Sequence, residues 1–483
     1  MIGIAKGMSP MAKTPLRAAL AAASLALLPA ATAQAQIHEQ PPIGEPVAFE
    51  LPETRHFTLD NGLEVTFIPF GLAPTVDVSV QIRAGNIDDG AQTWLADLTG
   101  AMMEEGAGGR SKDDLAETVA SMGGNINVGV GRHTTGISTS VLSQYGPDAV
   151  ALLADVARHP NLDADEFERV RANLVRDVDV SRAQPGSIAT EAYRDLLYGS
   201  DHPYGRTLPT EEQLRGYTIE DVNAFYADHF GAGRTRIYIA GRFDEAAMEA
   251  AVREAFGDWE TGEPDSVEGA TASAGPVVQL IDRPGAPQTT IRLGFPGVAI
   301  GDPDAPALLA MNALLGGSFT SRLTRNLRED KGYTYSPGSG ETWMLGGGLW
   351  TFNADVTAAD TAAALRETFY EIDRLQTETP PHEEAQGIRN WLAGIFILQN
   401  ASTGGLINQL AQRDFWGLPD DYLEAYVPNI LAVSDEDISE TARTYLPLDR
   451  MTLVLVGDLE TIQADVLALP ELEGARIITP DSE

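Results

Sequence analysis

The sequence predicts a protein of mixed helices and strands, arranged as two related halves. Apolar residues alternate through residues 55–70, around the turn signal Asp60-Asn61-Gly62, and again through residues 75–84, so both segments are expected to form strands. Helical spacing takes over in residues 163–182, where apolar residues recur on one face. A spacing shared by two distant segments indicates the duplication.

The shared spacing links a capped helix to a strand that ends in glycine. Thr218 begins the segment TIEDV, and Gly241 follows it by 23 residues (241 − 218). Ser434 begins the similar segment SDEDI, and Gly457 follows it by 23 residues (457 − 434). The offset between the two units is 216 residues (434 − 218). Together with the similar lengths of the halves, this spacing favours an internal duplication.

Composition excludes several classes of function. The chain has 483 residues, a formal net charge of −37 and no cysteine. At roughly 150 residues per domain, it is long enough for large buried cores. The negative charge opposes binding to nucleic acid or to an anionic bilayer, because both need a basic face. Without cysteine there is no disulfide scaffold, no thiolate metal ligand and no cysteine nucleophile.

The first 35 residues have the pattern of a secretory signal peptide. Lys6, Lys13 and Arg17 precede an apolar run at residues 18–31, and Ala33-Gln34-Ala35 offers a cleavage site. The run is shorter than the roughly 20 residues of a membrane-spanning helix. We therefore expect cleavage after residue 35 and a soluble, exported, periplasmic mature chain without a membrane span. Removal of the three positive residues takes its net charge to −40 (−37 − 3).

A Gly-, Ala- and Ser-rich stretch separates the halves. Residues 263–275 show neither helical nor strand periodicity. The predicted organisation is a signal peptide (1–35), an N-terminal half (36–262), a linker (263–275) and a C-terminal half (276–483).

Motifs of several hydrolases and nucleotide-binding proteins are missing. The seven histidines form no pair within one helical turn, so neither HExxH nor HxxEH occurs, and there is no GxSxG elbow or GxxxxGK[ST] loop. Acidic residues are abundant. We interpret Asp97, Glu104, Glu105 and Asp177 as solvated helix faces rather than metal ligands.

One segment resembles a known family. Residues 314–340, LLGGSFTSRLTRNLREDKGYTYSPGSG, resemble the C-terminal half of the pitrilysin/insulinase-type (inverzincin) metallopeptidases, which include the mitochondrial processing peptidase subunits and core subunits of a respiratory complex. In that family an Arg and a Tyr seven positions apart help to hold the substrate and the reacting carbonyl. Arg328 and Tyr335 match this spacing. Residues 202–230 and 94–109 extend the resemblance over nearly the whole mature chain.

The N-terminal match departs from the family at its metal-binding motif. The family's HxxEH falls on residues 97–101, where Asp97 and Ala101 replace the two histidines and Gly100 replaces the general-base glutamate. Two histidines at i and i+4 bind zinc from one helix face, and the glutamate activates water. The nearest acid to the third ligand position is Asp177. We therefore expect no metal in this chain and no independent hydrolysis.

The resemblance implies an α+β fold of two homologous halves, each of two similar subdomains with an antiparallel-rich sheet backed by helices, enclosing a chamber. It also implies a non-catalytic subunit of a heterodimeric zinc metallopeptidase. An HxxEH-bearing homologous subunit would hold the zinc, and Arg328 and Tyr335 would bind the peptide substrate and its transition state.

Three alternatives stay open at this point. Arg328 could serve as a cation that complements a helix dipole, with Tyr335 an ordinary strand aromatic. The chain could be a peptide-binding or assembly protein of the same fold without peptidase activity. An autonomous hydrolase with another site is the least favoured.

Overall fold

A computed structural model describes residues 47–265, 269–273 and 275–480 of the protein. The predicted signal peptide lies outside these residues. The N-terminal half begins with a hairpin at the Asp60-Asn61-Gly62 turn. Its strands are β1 (Arg55–Thr58), β2 (Glu64–Pro69), β3 (Thr75–Ile82), β4 (Gly106–Ala107), β5 (Arg110–Ser111), β6 (Asn127–Val130), β7 (Thr135–Leu142) and β8 (Thr235–Gly241). Its helices are α1 (Leu95–Met103), α2 (Lys112–Ser121), α3 (Gly146–Arg158), α4 (Ala164–Ala183), α5 (Pro185–Tyr198), α6 (Glu211–Gly216), α7 (Ile219–His229) and α8 (Glu245–Phe256).

The C-terminal half repeats this arrangement after residues 257–276, whose described positions form neither helix nor strand. The predicted linker falls in this stretch. The strands are β9 (Val277–Asp282), β10 (Gln288–Gly297), β11 (Gly338–Met344), β12 (Gly347–Thr357), β13 (Thr452–Gly457) and β14 (Arg476–Ile478). The helices are α9 (Ala305–Asn312), α10 (Thr361–Thr377), α11 (His382–Gln399), α12 (Thr403–Trp416), α13 (Tyr422–Ala432), α14 (Asp435–Tyr445) and α15 (Leu459–Leu467), with π-helical turns at Ala313–Gly317 and Thr324–Asp330.

Five strands of each main sheet share one arrangement. The sixth differs, because β1 precedes β2 and pairs antiparallel to it, whereas β14 ends its half and pairs parallel to β9. The N-terminal sheet has the order β1-β2-β8-β3-β7-β6, and the C-terminal sheet, read from its other edge, has the order β14-β9-β13-β10-β12-β11. Strands β8 and β13 occupy the same place in the two sheets: β8 pairs parallel to β2, and β13 pairs parallel to β9. Most other neighbours are antiparallel. The duplication predicted from spacing is therefore confirmed in the fold.

The repeated helix starts show why the spacing is shared. The Thr218 and Ser434 side chains each accept a hydrogen bond from the backbone N–H three residues later. In return, the Asp221 and Asp437 carboxylates accept from the backbone N–H of Thr218 and Ser434, which completes a capping box. Each box begins a helix that precedes the central strand of its sheet, β8 or β13. The same local signal thus positions the same element twice.

Each sheet is covered on one face by helices of its own half and on the other by a helix of the opposite half. On β8, Ile237 and Ile239 face the N-terminal core, whereas Tyr238 and Ala240 pack against apolar residues of α12. On β13, Val454 and Val456 pack against α5 in the same way. Because strand side chains alternate, one buried strand joins both halves. Residues 46–483 accordingly form one compact unit.

Candidate functional site

Helix α1, which carries the degenerate metal motif, begins at a residue with a left-handed backbone. Trp94 has φ 66° and ψ 20°. The Asp89 carboxylate holds this start, because it accepts hydrogen bonds from the backbone N–H of Trp94 (2.9 Å) and of Ala96 (2.8 Å). The Trp94 indole N–H donates to the Thr207 carbonyl oxygen at 3.0 Å. The orientation of α1 is thus set by a buried carboxylate and a fixed indole.

Gly100, at the general-base position, is buried against edge strand β6. A Cβ atom added at Gly100 would lie 2.4 Å from Cγ2 of Val130 and 3.9 Å from Cγ1 of Val128. The first distance is far below van der Waals contact. The space that a glutamate side chain would need beside α1 is therefore occupied by valine.

The Asp97 side chain, at the first histidine position, takes part in a local hydrogen-bond network. Its Oδ2 accepts from the Asn86 side-chain amide at 2.5 Å, and the same amide group lies 3.4 Å from Asp89 Oδ2. Burial raises the pKa of Asp97. Burial also raises the pKa of Asp89 to about 7, although its backbone hydrogen bonds act in the opposite direction. These carboxyls favour protonation more than ordinary surface aspartates do.

The interpretation of four acids as solvated helix faces is correct for two of them. Asp177 on α4 and Glu104 are exposed. The Glu105 side chain is instead only 8% exposed and is ion-paired with Arg169 of α4 and with Lys112 at 3.0 Å, so it joins neighbouring helices. The interpretation is also wrong for Asp97, which is half-buried and accepts a hydrogen bond from Asn86. Burial of these side chains depends on neighbours that are remote in sequence.

The residues at the motif positions do not fit a zinc ion. Gly100 and Ala101 carry no ligand atom, and Asp97 is engaged with Asn86. Within the described part of the chain, no group of three or more His, Cys, Asp or Glu side chains is placed to hold a metal ion. The geometry of α1 is that of a packed core helix.

Arg328 and Tyr335 are brought together in the C-terminal half, and a third residue joins them. The guanidinium carbon of Arg328 lies 4.8 Å from the ring centre of Tyr335 and 4.9 Å from that of Phe319. Both rings are exposed, at 78% and 70%. Two aromatic faces within about 6 Å of a cation favour this stacked arrangement.

The backbone around this cluster is firmly anchored. Buried Leu327 lies on the π-helical turn beside Arg328, and its carbonyl oxygen accepts from the Tyr333 N–H at 2.9 Å, just after Gly332 with φ +68°. The Thr334 hydroxyl donates to the Asp355 carbonyl oxygen of β12 at 2.7 Å. The loop carrying Tyr335 therefore returns across the turn that carries Arg328, which explains why residues seven apart meet.

The polar atoms of Arg328 and Tyr335 are not hydrogen-bonded to neighbouring described residues. The Glu329 carboxylate lies 3.6 Å from Arg328 Nε, outside hydrogen-bond distance. Among the described residues, neither the Arg328 guanidinium nor the Tyr335 hydroxyl has a hydrogen-bond partner. Their contacts are all with the C-terminal half, so the structure does not join them to α1. The cluster can offer N–H and O–H donors to a ligand.

The cluster stands next to an unpaired strand edge. Two residues separate Tyr335 from β11, which is hydrogen-bonded to β12 on one side and is the edge of its sheet on the other. An edge strand presents backbone N–H and C=O groups to which an extended peptide can add.

Sequence reasoning missed Phe319 and Val130. Phe319 lies two residues after Gly317, and the Gly316-Gly317 pair was the available signal that the chain turns near this aromatic residue. Val130 gave no such signal, because β6 and α1 are brought together by the fold.

No helix of the described residues has the length and apolarity needed to cross a membrane.

Two family models match consecutive segments of the chain. The one described as "Insulinase (Peptidase family M16)" matches residues 72–208, and the one described as "Peptidase M16 inactive domain" matches residues 216–392. The first contains α1 and the second contains Arg328 and Tyr335. These matches agree with the resemblance found in the sequence.

Relatives and solved structures show the same likeness. A protein of Bacillus subtilis described as an uncharacterized zinc protease is 22% identical over 80% of this chain and 95% of its own length. One of Mycobacterium tuberculosis with the same description is 27% identical over 73% of this chain and 79% of its own. A peptidase M16 inactive domain from Pseudomonas fluorescens has a TM-score of 0.76 and 25% identity, covering 84% of this chain and 98% of its own. A protease from Helicobacter pylori has a TM-score of 0.78 at 17% identity, covering 84% and 100%, which is a likeness of fold.

Proposed function

The chain belongs to the insulinase-type M16 peptidase family and lacks that family's HxxEH motif, and on this premise we propose that it is the non-catalytic subunit of a two-chain zinc metallopeptidase. The partner would be a homologous HxxEH-bearing chain. Arg328 and Tyr335 would act on the peptide substrate bound at the partner's metal site.

The observation that carries this proposal is the contrast between the two halves. On α1, the motif positions are packed by Val130 and hydrogen-bonded through Asn86. In the C-terminal half, Arg328 is held between two exposed rings, with its donors and the Tyr335 hydroxyl left available. A polar group on a rigid, exposed support is arranged for binding rather than for stability.

The geometry suggests a division of roles. The planar Arg328 guanidinium can donate two parallel hydrogen bonds to a peptide carbonyl or carboxylate, and its stacking restricts rotation. The Tyr335 hydroxyl can donate to the oxyanion that forms when the peptide bond is attacked. The partner's zinc would supply the activated water. Edge strand β11, which begins shortly after Tyr335, can align an extended substrate through backbone hydrogen bonds.

The first test is to recover the tagged chain from the envelope of its host and identify what is bound to it by mass spectrometry. A stoichiometric HxxEH-bearing companion is the expected result. A chain recovered alone, or with proteins lacking that motif, would favour the alternative of a peptide-binding or assembly protein without peptidase activity.

The second test uses the assembled pair. Arg328→Ala should lower kcat/KM for peptide hydrolysis while co-purification with the companion is unchanged. Arg366→Ala, which removes an exposed arginine on α10, is the matched control and should have no effect. Equal turnover in the two variants would contradict the role of Arg328.

Export remains part of the proposal. It rests on the charged leader, the apolar run and the small-residue site at Ala33-Gln34-Ala35. N-terminal sequencing of the envelope-associated protein should begin at Gln36; a chain that begins at Met1 would contradict it.

A further inference from the structure

A cavity of about 460 Å³ lies beside the π-helical turn Thr324–Asp330, where α10 and the start of α11 approach it. Its lining residues are strongly polar and do not include Arg328, Tyr335 or Phe319. Carboxylates and guanidinium groups alternate around it, including Arg322, Arg374, Glu371 and Glu384.

Arg322 contributes a buried donor that is only partly used. The residue is 5% exposed. Its Nε donates to Glu384 Oε1 at 3.0 Å and its Nη2 donates to Glu384 Oε2 at 2.7 Å, in a two-bond pair. Its Nη1 has no acceptor among the described residues. The guanidinium is thus fixed in place with one nitrogen left over.

Asn326 and Glu371 contribute buried acceptors that are also partly used. They are 9% and 5% exposed, and the Asn326 amide N–H donates to Glu371 Oε1 at 2.9 Å. Asn326 Oδ1 and Glu371 Oε2 have no hydrogen-bond partner within the described residues. Arg374 Nη1 lies 3.6 Å from Glu371 Oε2, which is an ion pair beyond hydrogen-bond distance.

Three incompletely paired, nine-tenths buried side chains on one cavity are unusual, because buried polar groups are normally satisfied. The chemistry of the three atoms restricts a ligand. Arg322 needs an anionic or carbonyl acceptor, whereas Asn326 and Glu371 need N–H or O–H donors. A phosphate would face Glu371 and Glu384, and a simple cation would face Arg322 and Arg374.

We propose that this cavity binds a free α-amino acid in its zwitterionic form. The ligand carboxylate would accept from Arg322 Nη1, and its ammonium group would donate to Glu371 Oε2 and Asn326 Oδ1. The ligand would link the Thr324–Asp330 turn to α10, and the polar wall favours an amino acid with a polar side chain. The proposal does not depend on the peptidase role, because binding alone is measured.

The test is calorimetric titration of the full mature chain with L-glutamine and glycine. Acetate and methylammonium, which carry one charged group each, are titrated in parallel. Saturable binding of the amino acids, with affinity at least about tenfold higher than for acetate or methylammonium, is expected. Absence of saturable binding, or equal binding of acetate, would overturn the proposal and leave hydration as the account of the cavity.

A variant and its control test the named contact. Glu371→Gln keeps the size of the side chain and removes the charge that would receive the ammonium group, so affinity for L-glutamine should fall at least about tenfold. Asp373→Asn, on an exposed position of the same helix, should bind like the unaltered chain. Equal affinity in the two variants would place the ligand elsewhere.

Hydrogen exchange on the unaltered chain gives a readout that needs no folded variant. L-Glutamine should slow amide exchange in residues 322–330 and 367–374 and leave α2 unchanged. Saturable binding without protection of these segments would overturn the assignment to this cavity.

Discussion

The guanidinium carbon of Arg328 lies 4.8 Å from the ring centre of Tyr335, and the ring is 78% exposed. The contact uses the face of the ring and leaves the phenolic hydroxyl and the guanidinium N–H groups available. The stacking and the proposed chemistry therefore involve different atoms of the same two side chains, and mutations can separate them.

Replacing Tyr335 by Phe removes the hydroxyl and keeps the ring beneath Arg328. If the hydroxyl stabilises the oxyanion, kcat of the assembled pair should fall by about 10²–10³, the usual effect of losing one such donor, with a smaller change in KM. Steady-state kinetics measures this. Tyr370→Phe removes the hydroxyl of another exposed tyrosine and should be neutral; an unchanged kcat in Tyr335→Phe would exclude the oxyanion role.

Gly100→Ala should destabilise the N-terminal half by about 1–3 kcal/mol, because the new Cβ overlaps Val130 Cγ2. Denaturant unfolding measures this free energy. The sign of the change in unfolding free energy is informative, because Gly→Ala inside a helix normally stabilises the protein by about 1 kcal/mol.

Gly394→Ala on α11 is the control for that prediction, because its Cβ would meet open space. It should stabilise the protein. Val130→Ala should recover part of the loss in a double variant with Gly100→Ala. If Gly100→Ala stabilises as much as Gly394→Ala does, β6 does not pack against α1 as described.

Glu341 should make stability fall as pH rises. Burial raises its pKa to about 8 from an ordinary value of 4.5, and its Oε2 accepts from the Asn312 side-chain amide at 3.2 Å. Between pH 4.5 and 8 the folded state therefore holds a proton that the unfolded state releases. The stabilisation is complete below pH 4.5 and is lost as pH rises to about 8, at up to about 1.4 kcal/mol per pH unit.

Glu341→Gln, which resembles the protonated acid, should flatten that dependence. Unfolding free energies of the two proteins are compared between pH 5 and 8. The difference should favour Glu341→Gln increasingly as pH rises. Parallel stability curves over this interval would show that Glu341 is ionised in the folded state.

Tyr238→Phe should weaken the junction of the halves. The Tyr238 hydroxyl of β8 donates to Asp414 Oδ2 of α12 at 2.9 Å, and Asp414 is a largely buried carboxylate. Loss of a hydrogen bond to a charged group costs about 1.5–3 kcal/mol. Urea unfolding should show this loss, and Tyr370→Phe should show none. Equal midpoints for the two variants would contradict a stabilising contact.

Local signals in the sequence predicted much of the fold. The Asp60-Asn61-Gly62 turn forms the first hairpin, and Asp163 caps α4 through a hydrogen bond from the Asp165 N–H. Helix α1 begins only at Leu95, because Trp94 before it has a left-handed backbone. Turn and cap preferences depend on neighbouring residues, so a sequence records them directly.

The candidate site was only partly predictable. The seven-residue spacing of Arg328 and Tyr335 drew attention to the pair, and the structure brings their side chains together as stacked neighbours. Phe319 was missed because its contact with Arg328 depends on the turn after Gly317. Asp97 was misjudged because its partner Asn86 lies on a separate turn before α1.

The sequence by itself determined the duplication and, through its resemblance to the family, the positions where both histidines and the general base are lost and the matching Arg–Tyr spacing. Each of these is a property of residue identity and short-range spacing. The tertiary structure alone decided that Val130 fills the space at Gly100, that α5 and α12 cross between the halves, and that Arg322, Asn326 and Glu371 share a cavity. The reason is physical: packing, burial and charge pairing arise between segments that are distant along the chain, and nothing in the local sequence of either segment specifies its partner.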